Sequence, residues 1–344
     1  MGSTRRVTIR QVARQAGVST QTVSRVLNDR PDVAAETRDR VKEVIGQLGY
    51  RPSLLARSLA QRRSYTLGVV TAGLKYIGPS RTLNGITQAA EASGYSLLLE
   101  ELARFDADNY HDLLHSLLAS QVDGVIWAVP EIGNNREWIQ EQMPGLPVPI
   151  VFLTMAVQPG ISIVSIDNYR GGCLAAQHLY AQGYRHIGHI TGPLEWWEAR
   201  QRLAGWQDTL GKAGLPPAEA HRAEGNWSSA SGEWAFLQLL GRYPQMDALF
   251  VANDQMALGA MYAAYRQGIR IPQELAVVGF DNLAESAHFW PPLTTIHQDQ
   301  DRLGSAAVQA VVGLIEAARQ DQPAVQPQLI QLQPELIIRE SSRR

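Results

Sequence analysis

Apolar and polar positions follow one rhythm over the first fifty residues and another over the rest. In residues 1–50 apolar side chains recur at helical spacing, which predicts three short helices. Thr8 caps the first, with Gln11 as its capping-box partner, and Ile9, Val12, Ala13 and Ala16 form the inward stripe. Gly17 breaks that helix. Ser19 caps the second, which buries Val23, Val26 and Leu27 and ends near Asn28. After the turn Asp29-Arg30-Pro31-Asp32, a third runs from about Ala35 to Leu48, with Gly49 as its stop. Pro52 ends the unit, and Ser53 heads the segment LLARSLAQRR. A helix that short is marginal in water unless something holds it.

From Tyr65 the pattern becomes strand, helix, strand, helix. Apolar runs at 66–73, 95–102, 122–129, 148–155, 161–167, 186–192, 248–253 and 275–281 read as strands. Amphipathic stretches around 82–93, 107–120, 170–182, 199–213, 229–240 and 254–267 read as helices between most of them. Continuous apolar strands alternating with helices predict parallel sheets covered on both faces. The expected fold is an all-α helix-turn-helix headpiece followed by an α/β body of two doubly wound parallel-sheet subdomains. The joint between them falls near 156–168, where Gln158-Pro159-Gly160 interrupts. A late strand (293–299) and a tail (329–339) imply that the chain crosses between lobes again. The expected division is 1–50 for the headpiece, 51–64 for a linker and 65–344 for the body. Within the body, one lobe takes about 65–164 plus 297–325 and the other about 165–295 plus 328–340.

Charge sharpens this division. The net charge of -2 hides an asymmetry, because residues 1–63 hold 13 Lys and Arg against 5 Asp and Glu, and the rest hold 18 against 28. A basic module for a polyanion is joined to a mildly acidic body. Cys173 is the only cysteine, which excludes an intramolecular disulfide and a Cys-based metal cluster. No apolar run is long enough to span a bilayer, MGSTRRVTIR lacks a signal-peptide apolar region, and Arg6 spoils the myristoylation pattern. The expected location is the cytoplasm, at the nucleoid, with no membrane partner.

A helix, a Gly-containing turn and a second helix make a helix-turn-helix, whose second helix enters the major groove. Thr20, Gln21 and Arg25 suit base edges: Gln pairs with adenine, Arg with guanine, and Thr with a base or a methyl group. Thr8, Ser19, Thr22 and Ser24 suit phosphate oxygens beside two helix amino termini, and Asn28 completes the candidate DNA-binding set. A docking bundle is the bland alternative, and it leaves the basic balance unexplained.

In doubly wound sheets ligands bind beyond the carboxyl ends of the strands. That rule points to Thr71-Ala72-Gly73, Thr154, Gly192-Pro193, Asn253-Asp254 and Asp281-Asn282. Catalytic motifs are absent: neither a dinucleotide fingerprint, a P-loop nor a nucleophile elbow occurs. His111 and His115 have metal-ligand spacing but lack the accompanying glutamate, so they read as helix surface. His186 and His189 flank a buried strand and read as packing. No enzyme, cofactor or metal is expected.

The segments TIRQVARQAGVSTQTVSRVLN and TRDRVKEVIGQLGYRPSLLARSLA resemble the headpiece of LacI/GalR-family transcription regulators, and the similarity continues to about residue 340. The resemblance implies a periplasmic-binding-protein-like body and a repressor that binds a pseudo-palindromic operator as a homodimer. It implies that the segment after Pro52 is a hinge helix that orders on DNA, with Leu59 wedged into the minor groove. Contact between paired hinge helices is the duller role for Leu59.

The family's effector-contacting positions fall on Arg202 (in RQRLAGW), Trp227 (in GNWS), Asn253 (in VANDQMALGAM), Asp281, and Gln300 after PPLTTIHQD. With the strand-end residues Thr71 and Thr154 these make the effector candidates. The two routes agree at Asn253 and Asp281. Asp281 and Asn253 suit vicinal hydroxyls, Arg202 makes a fork across two oxygens, and Trp227 stacks on an apolar ring face. The duller readings are a helix cap for Asp281, core for Trp227 and an acidic partner for Arg202.

There are departures from the pattern. Thr154 stands where a sugar-responsive member carries Asp, Gln300 where it carries Phe, and Trp196-Trp197 where it carries small residues. The expected effector is a mono- or disaccharide, with the family's purine effectors disfavoured by the carboxylates. The last residues, LIIRESSRR, show no leucine repeat, so a dimer rather than a tetramer is expected. The rival reading is a sugar-binding protein or sugar-processing enzyme with an incidental basic module.

Overall fold

The computed structural model describes residues 7–27, 30–50, 63–102, 104–105, 110–132, 135–139, 145–320 and 326–343. Asn28, Leu59 and the hinge segment 51–62 lie outside the described residues. The chain divides into two compact units, Met1–Ser64 and Tyr65–Arg344.

The first unit holds α1 (Ile9–Ala16), α2 (Thr20–Leu27) and α3 (Ala35–Leu48). The backbone N–H of Thr8 donates to Gln11 Oε1 at 2.8 Å, which is the back half of the capping box. Gly17, at φ +64°, turns the chain, a conformation that costs a side-chain-bearing residue energy. Val18 N–H then closes on Ala13 O at 3.0 Å. Val12, Ala13, Ala16, Val23, Val26, Val41 and Val44 pack into one small core.

The body opens with β1 (Thr66–Ala72), α4 (Ile77–Ala92), β2 (Ser96–Leu102), α5 (Tyr110–Ala119), β3 (Gly124–Ala128), β4 (Ile150–Leu153) and β5 (Ser162–Ile166). Then come α6 (Asn168–Ala181), β6 (Ile187–Thr191), α7 (Trp197–Lys212), β7 (Arg222–Glu224), α8 (Ser229–Arg242), β8 (Ala248–Val251), α9 (Asp254–Arg266) and β9 (Ala276–Asp281). β10 (Thr294–His297), α10 (Gln300–Arg319), β11 (Leu329–Leu332) and β12 (Glu335–Ile337) close it.

Among the described residues two six-stranded sheets result, ordered β11-β5-β4-β3-β1-β2 and β12-β10-β9-β8-β6-β7. The first is wholly parallel, and the second is parallel except where β12 runs against β10. Their strands are buried on both faces, as in β1, β5 and β9, which is why they read as unbroken apolar runs.

The chain crosses between the sheets three times among the described residues: after β5, between β10 and α10, and between β11 and β12. The tail therefore departs from expectation. Leu329–Leu332 pairs in parallel with Ile163–Ile166 in the first sheet, so the second lobe regains the chain only at β12. Gln333-Pro334 is the physical reason, because proline cannot donate within a ladder and separates the two strands.

Three helix pairs meet backbone to backbone through glycines: α4 with α10 at Gly85 and Gly304, α6 with α7 at Gly172 and Gly205, and α8 with α9 at Gly232 and Gly259. A Cβ on Gly304 would lie 2.4 Å from Thr82 O and one on Gly259 only 1.9 Å from Ser229 O, so no larger residue fits these crossings.

Candidate functional site

In the headpiece, α2 presents Thr20, Gln21 and Arg25 to solvent, while Thr22 and Ser24 are half-buried. Ser19 Oγ accepts from Thr22 N–H at 3.0 Å and bonds the Thr22 hydroxyl at 2.9 Å, so both hydroxyls already hold the helix start together. Thr8 is exposed at the start of α1. Arg25 reaches Asp32 at 3.4 Å, with both side chains about half exposed at 50% and 55%. An exposed pair of that kind contributes roughly 0–1 kcal/mol, so the guanidinium exchanges partners readily.

In the body, a cleft with about 820 Å3 of empty space, part of it open to solvent, lies where the carboxyl ends of both sheets converge. The first lobe supplies Tyr76, Ile77 and Thr82 from the start of α4, Val129 and Pro130 after β3, and Thr154 after β4. The second supplies Asn168 on α6, Trp196 ahead of α7, Glu198 and Arg202 on α7, Trp227 before α8, Asn253 before α9, and Asp281 at the end of β9. Gln298 and Gln300, on the β10–α10 crossing, complete the wall.

Arg202 is fixed at the back. Its Nε donates to Asn168 Oδ1 at 2.8 Å, its Nη1 donates to Ala252 O at 2.5 Å, and its guanidinium lies 3.8 Å from the Phe280 ring centre. Its Nη1 is also 3.9 Å from Asp281 Oδ1, an oxygen that accepts from Gln298 Nε2 at 2.5 Å. Burial outweighs this pairing at both partners: it lowers the Arg202 pKa and pushes Asp281 up to about 7, with neighbouring Asp254 adding to the rise.

Glu198, one helical turn before Arg202, is also pushed up to about 7 by burial, against the pull of Arg202 and Arg136. Its Oε2 is shielded from solvent and takes no hydrogen bond. Asn253 caps α9 by accepting from Met256 N–H at 2.8 Å, and its Nδ2 donates to Trp227 O at 3.0 Å. The Trp227 indole, with its residue at φ +72°, lies against Gly192, where a Cβ would come within 2.1 Å of the ring. Thr82 Oγ1 donates to Gln300 Oε1 at 2.6 Å, tying α4 to α10 at the rim.

The structure therefore brings Thr154, Arg202, Trp227, Asn253, Asp281 and Gln300 to one cavity. Thr71 is a correction. It is buried within β1 at 1% exposure, away from the cavity, because the chain turns at Gly73 (Tyr76 N–H to Gly73 O, 2.9 Å) and sends α4 to the wall instead. Asp281 does not cap the short helical turn Ala284–His288 that follows it, whose N-cap position is Leu283. Trp196 lines the cavity and Trp197 does not. Sequence reasoning missed Glu198, Asn168, Tyr76, Thr82 and Gln298. Glu198 alone left a signal, an acid four positions before Arg202 on the same helix face.

Other candidates are structural. His189 is buried, stacked 4.4 Å over Phe250, and burial holds its pKa down at about 3. His111 and His115 are exposed on α5. Asp254 is buried and accepts from Leu283 N–H, Ser286 Oγ and Thr295 Oγ1. Among the described residues no cluster fit to hold a metal ion occurs, and no helix is long and apolar enough to cross a membrane.

Residues 8–53 match the family described as bacterial regulatory proteins, lacI family, and residues 176–342 match the periplasmic binding protein-like domain. Curated relatives include the lactose operon repressor of Escherichia coli (strain K12), 37% identical over 90% of this chain and 84% of that protein. The ribose operon repressor of the same strain is 35% identical over 97% of this chain and 99% of that protein. Similar solved structures include the lac repressor dimer bound to operator and the anti-inducer ONPF (TM-score 0.85, 35% identity, covering 99% of this chain and 100% of that one). The complex of the regulator CelR with cellobiose is similar at TM-score 0.71 and 30% identity, covering 98% and 100%.

Proposed function

The chain belongs to the lacI family of bacterial regulatory proteins, and on that premise we propose that a saccharide held in the cavity controls its grip on operator DNA. The chain is a DNA-binding transcription regulator of the repressor type. Thr20, Gln21 and Arg25 read base edges, the helix starts at Thr8 and Ser19 meet phosphates, and two copies bind a pseudo-palindromic site. The headpiece and body act in the cytoplasm, without catalysis.

The observation that carries the saccharide reading is the polar set around one largely preformed cavity. Asp281, Glu198, Asn168, Asn253, Gln298 and Gln300 offer acceptors and amides in several directions, while Trp227 and Trp196 offer apolar faces. A ring bearing hydroxyls on its rim and C–H bonds on its faces meets both. Related proteins point the same way, since one controls a ribose operon and the structure of another holds cellobiose. A planar purine, with few hydrogen-bonding groups and none off its plane, would engage fewer of these polar groups than a ring bearing hydroxyls on its rim.

The control is a population shift. The saccharide binds one arrangement of the two lobes better than the other, and the lobe arrangement sets how the segment after Pro52 engages DNA. A thermal-shift screen of mono- and disaccharides tests the reading, because a ligand of the folded state raises its melting temperature by mass action. Hits are expected to change the affinity for a palindromic duplex. A screen in which purines raise the melting temperature and no sugar does would overturn it.

A further inference from the structure

We propose that the cleft carries a second saccharide subsite outside the first, so that the effector is a neutral disaccharide with its second ring against Trp196, Tyr76 and Phe105. The proposal rests on the saccharide reading above and extends it. A second cavity, about 1380 Å3 of space open to solvent, adjoins the inner one, and Tyr76 and Trp196 line both. Phe105 lines the outer cavity alone.

The three rings form a wall rather than a plug. Trp196 stands edge-on to Tyr76 (5.8 Å between centres, 80°) and to Phe105 (4.9 Å, 66°), and none of the three is fully buried. All three rings line the outer cavity and keep part of their surface exposed, and the C–H face of a pyranose covers such a surface while its hydroxyls stay at the rim. The wall is also held in place. Gly73, at φ +68°, lets the Phe105 ring lie on the backbone, since a Cβ there would come within 2.3 Å of its Cζ. Trp196 bridges to Ile132 of the other lobe, and Trp197 N–H donates to Glu131 O at 3.0 Å. A wall that needs no ordering on binding spends less of the contact energy on entropy.

Charge sets the ligand class. Lys75 and Arg104 on the outer rim are balanced by Glu101 and Glu195, and the inner cavity holds two carboxylates against one guanidinium. Neither half favours a phosphate or an acidic sugar. Hydroxyls, which both donate and accept, suit a rim of mixed sign.

Isothermal titration of the full-length protein with glucose, galactose, cellobiose, lactose and maltose tests this. One disaccharide should bind at least tenfold tighter than either monosaccharide. Phe105→Ala should remove most of that advantage and leave monosaccharide affinity unchanged. Phe105→Leu, which keeps an apolar side chain but removes the ring, is the second variant should Phe105→Ala lower the melting temperature, and it should lose most of the same advantage. Monosaccharides binding as tightly as every disaccharide, or Phe105→Ala weakening both alike, would overturn the outer subsite and leave the saccharide reading standing. No binding by any of the five would overturn both.

Discussion

Arg202 joins the stability of the body to its ligand chemistry, because the guanidinium that faces the cavity also ties α6 to the end of β8 through Asn168 and Ala252. Glu198 is different, since its residue lines the cavity while its Oε2 holds nothing in place. The difference predicts a pH effect of definite sign. Glu198 titrates at about 7 in the fold against an ordinary 4.5. Between those values the folded state keeps a proton that the unfolded chain has lost, so stability falls as pH rises, by about 1.4 kcal/mol per pH unit for each such group. Glu198→Gln should flatten the slope of stability against pH between about 5 and 7 by one proton and raise stability at pH 8. Asp281 titrates in the same range and keeps its share of the slope. Urea denaturation across that range measures it, and an unchanged slope in the variant would contradict the burial of Glu198. Asn253 and Asp281 were legible in the sequence, because strand ends and family motif converge on them. Glu198 left only its spacing from Arg202, since an acid on a helix usually faces water and only the packing of α7 turns this one inward.

At the scale of elements, most of the strands and helices are legible because burial on both faces writes itself as apolar runs, while the headpiece shows plain helical spacing. Three strands escaped for physical reasons. β7 is a three-residue edge strand, RAE, too short and too charged to carry a pattern. The tail strands β11 and β12 are separable only once their partners are known, since pairing rather than composition assigns each to its sheet. The glycine crossings make a sharper claim about helices. Gly304→Ala puts a methyl against the backbone of α4, where Thr82 O and Ile86 N lie 2.4 and 2.5 Å from the new Cβ. It should cost about 1–3 kcal/mol by forcing α10 off α4. Gly313, on the same helix, has open space around it. Gly313→Ala should therefore gain roughly 0.5–1 kcal/mol from helix propensity. Chemical denaturation of the pair checks the sign, and two losses of similar size would remove the special role of the crossing.

Across the whole molecule, the basic first 63 residues and the acidic remainder separate two tasks in one chain. The excess positive charge makes the DNA-bound form salt-dependent, because each phosphate neutralised releases condensed counterions. Affinity for a palindromic duplex should therefore fall linearly on a log–log plot against salt, while binding of a neutral saccharide should not. What links the two tasks is the cavity, which draws on both lobes and on the β10–α10 crossing, so that a ligand there senses the lobe arrangement directly. The central claim is that coupling, and one titration addresses it. Fluorescence anisotropy of a labelled operator duplex is followed with and without saturating saccharide, for the wild type and for Asp281→Asn. The wild type should change its operator affinity by roughly 5–150-fold when the saccharide binds. Asp281→Asn should hold the operator as the free wild type does and show no such change. Equal operator affinity in the wild type with and without a saccharide that demonstrably binds would contradict the account.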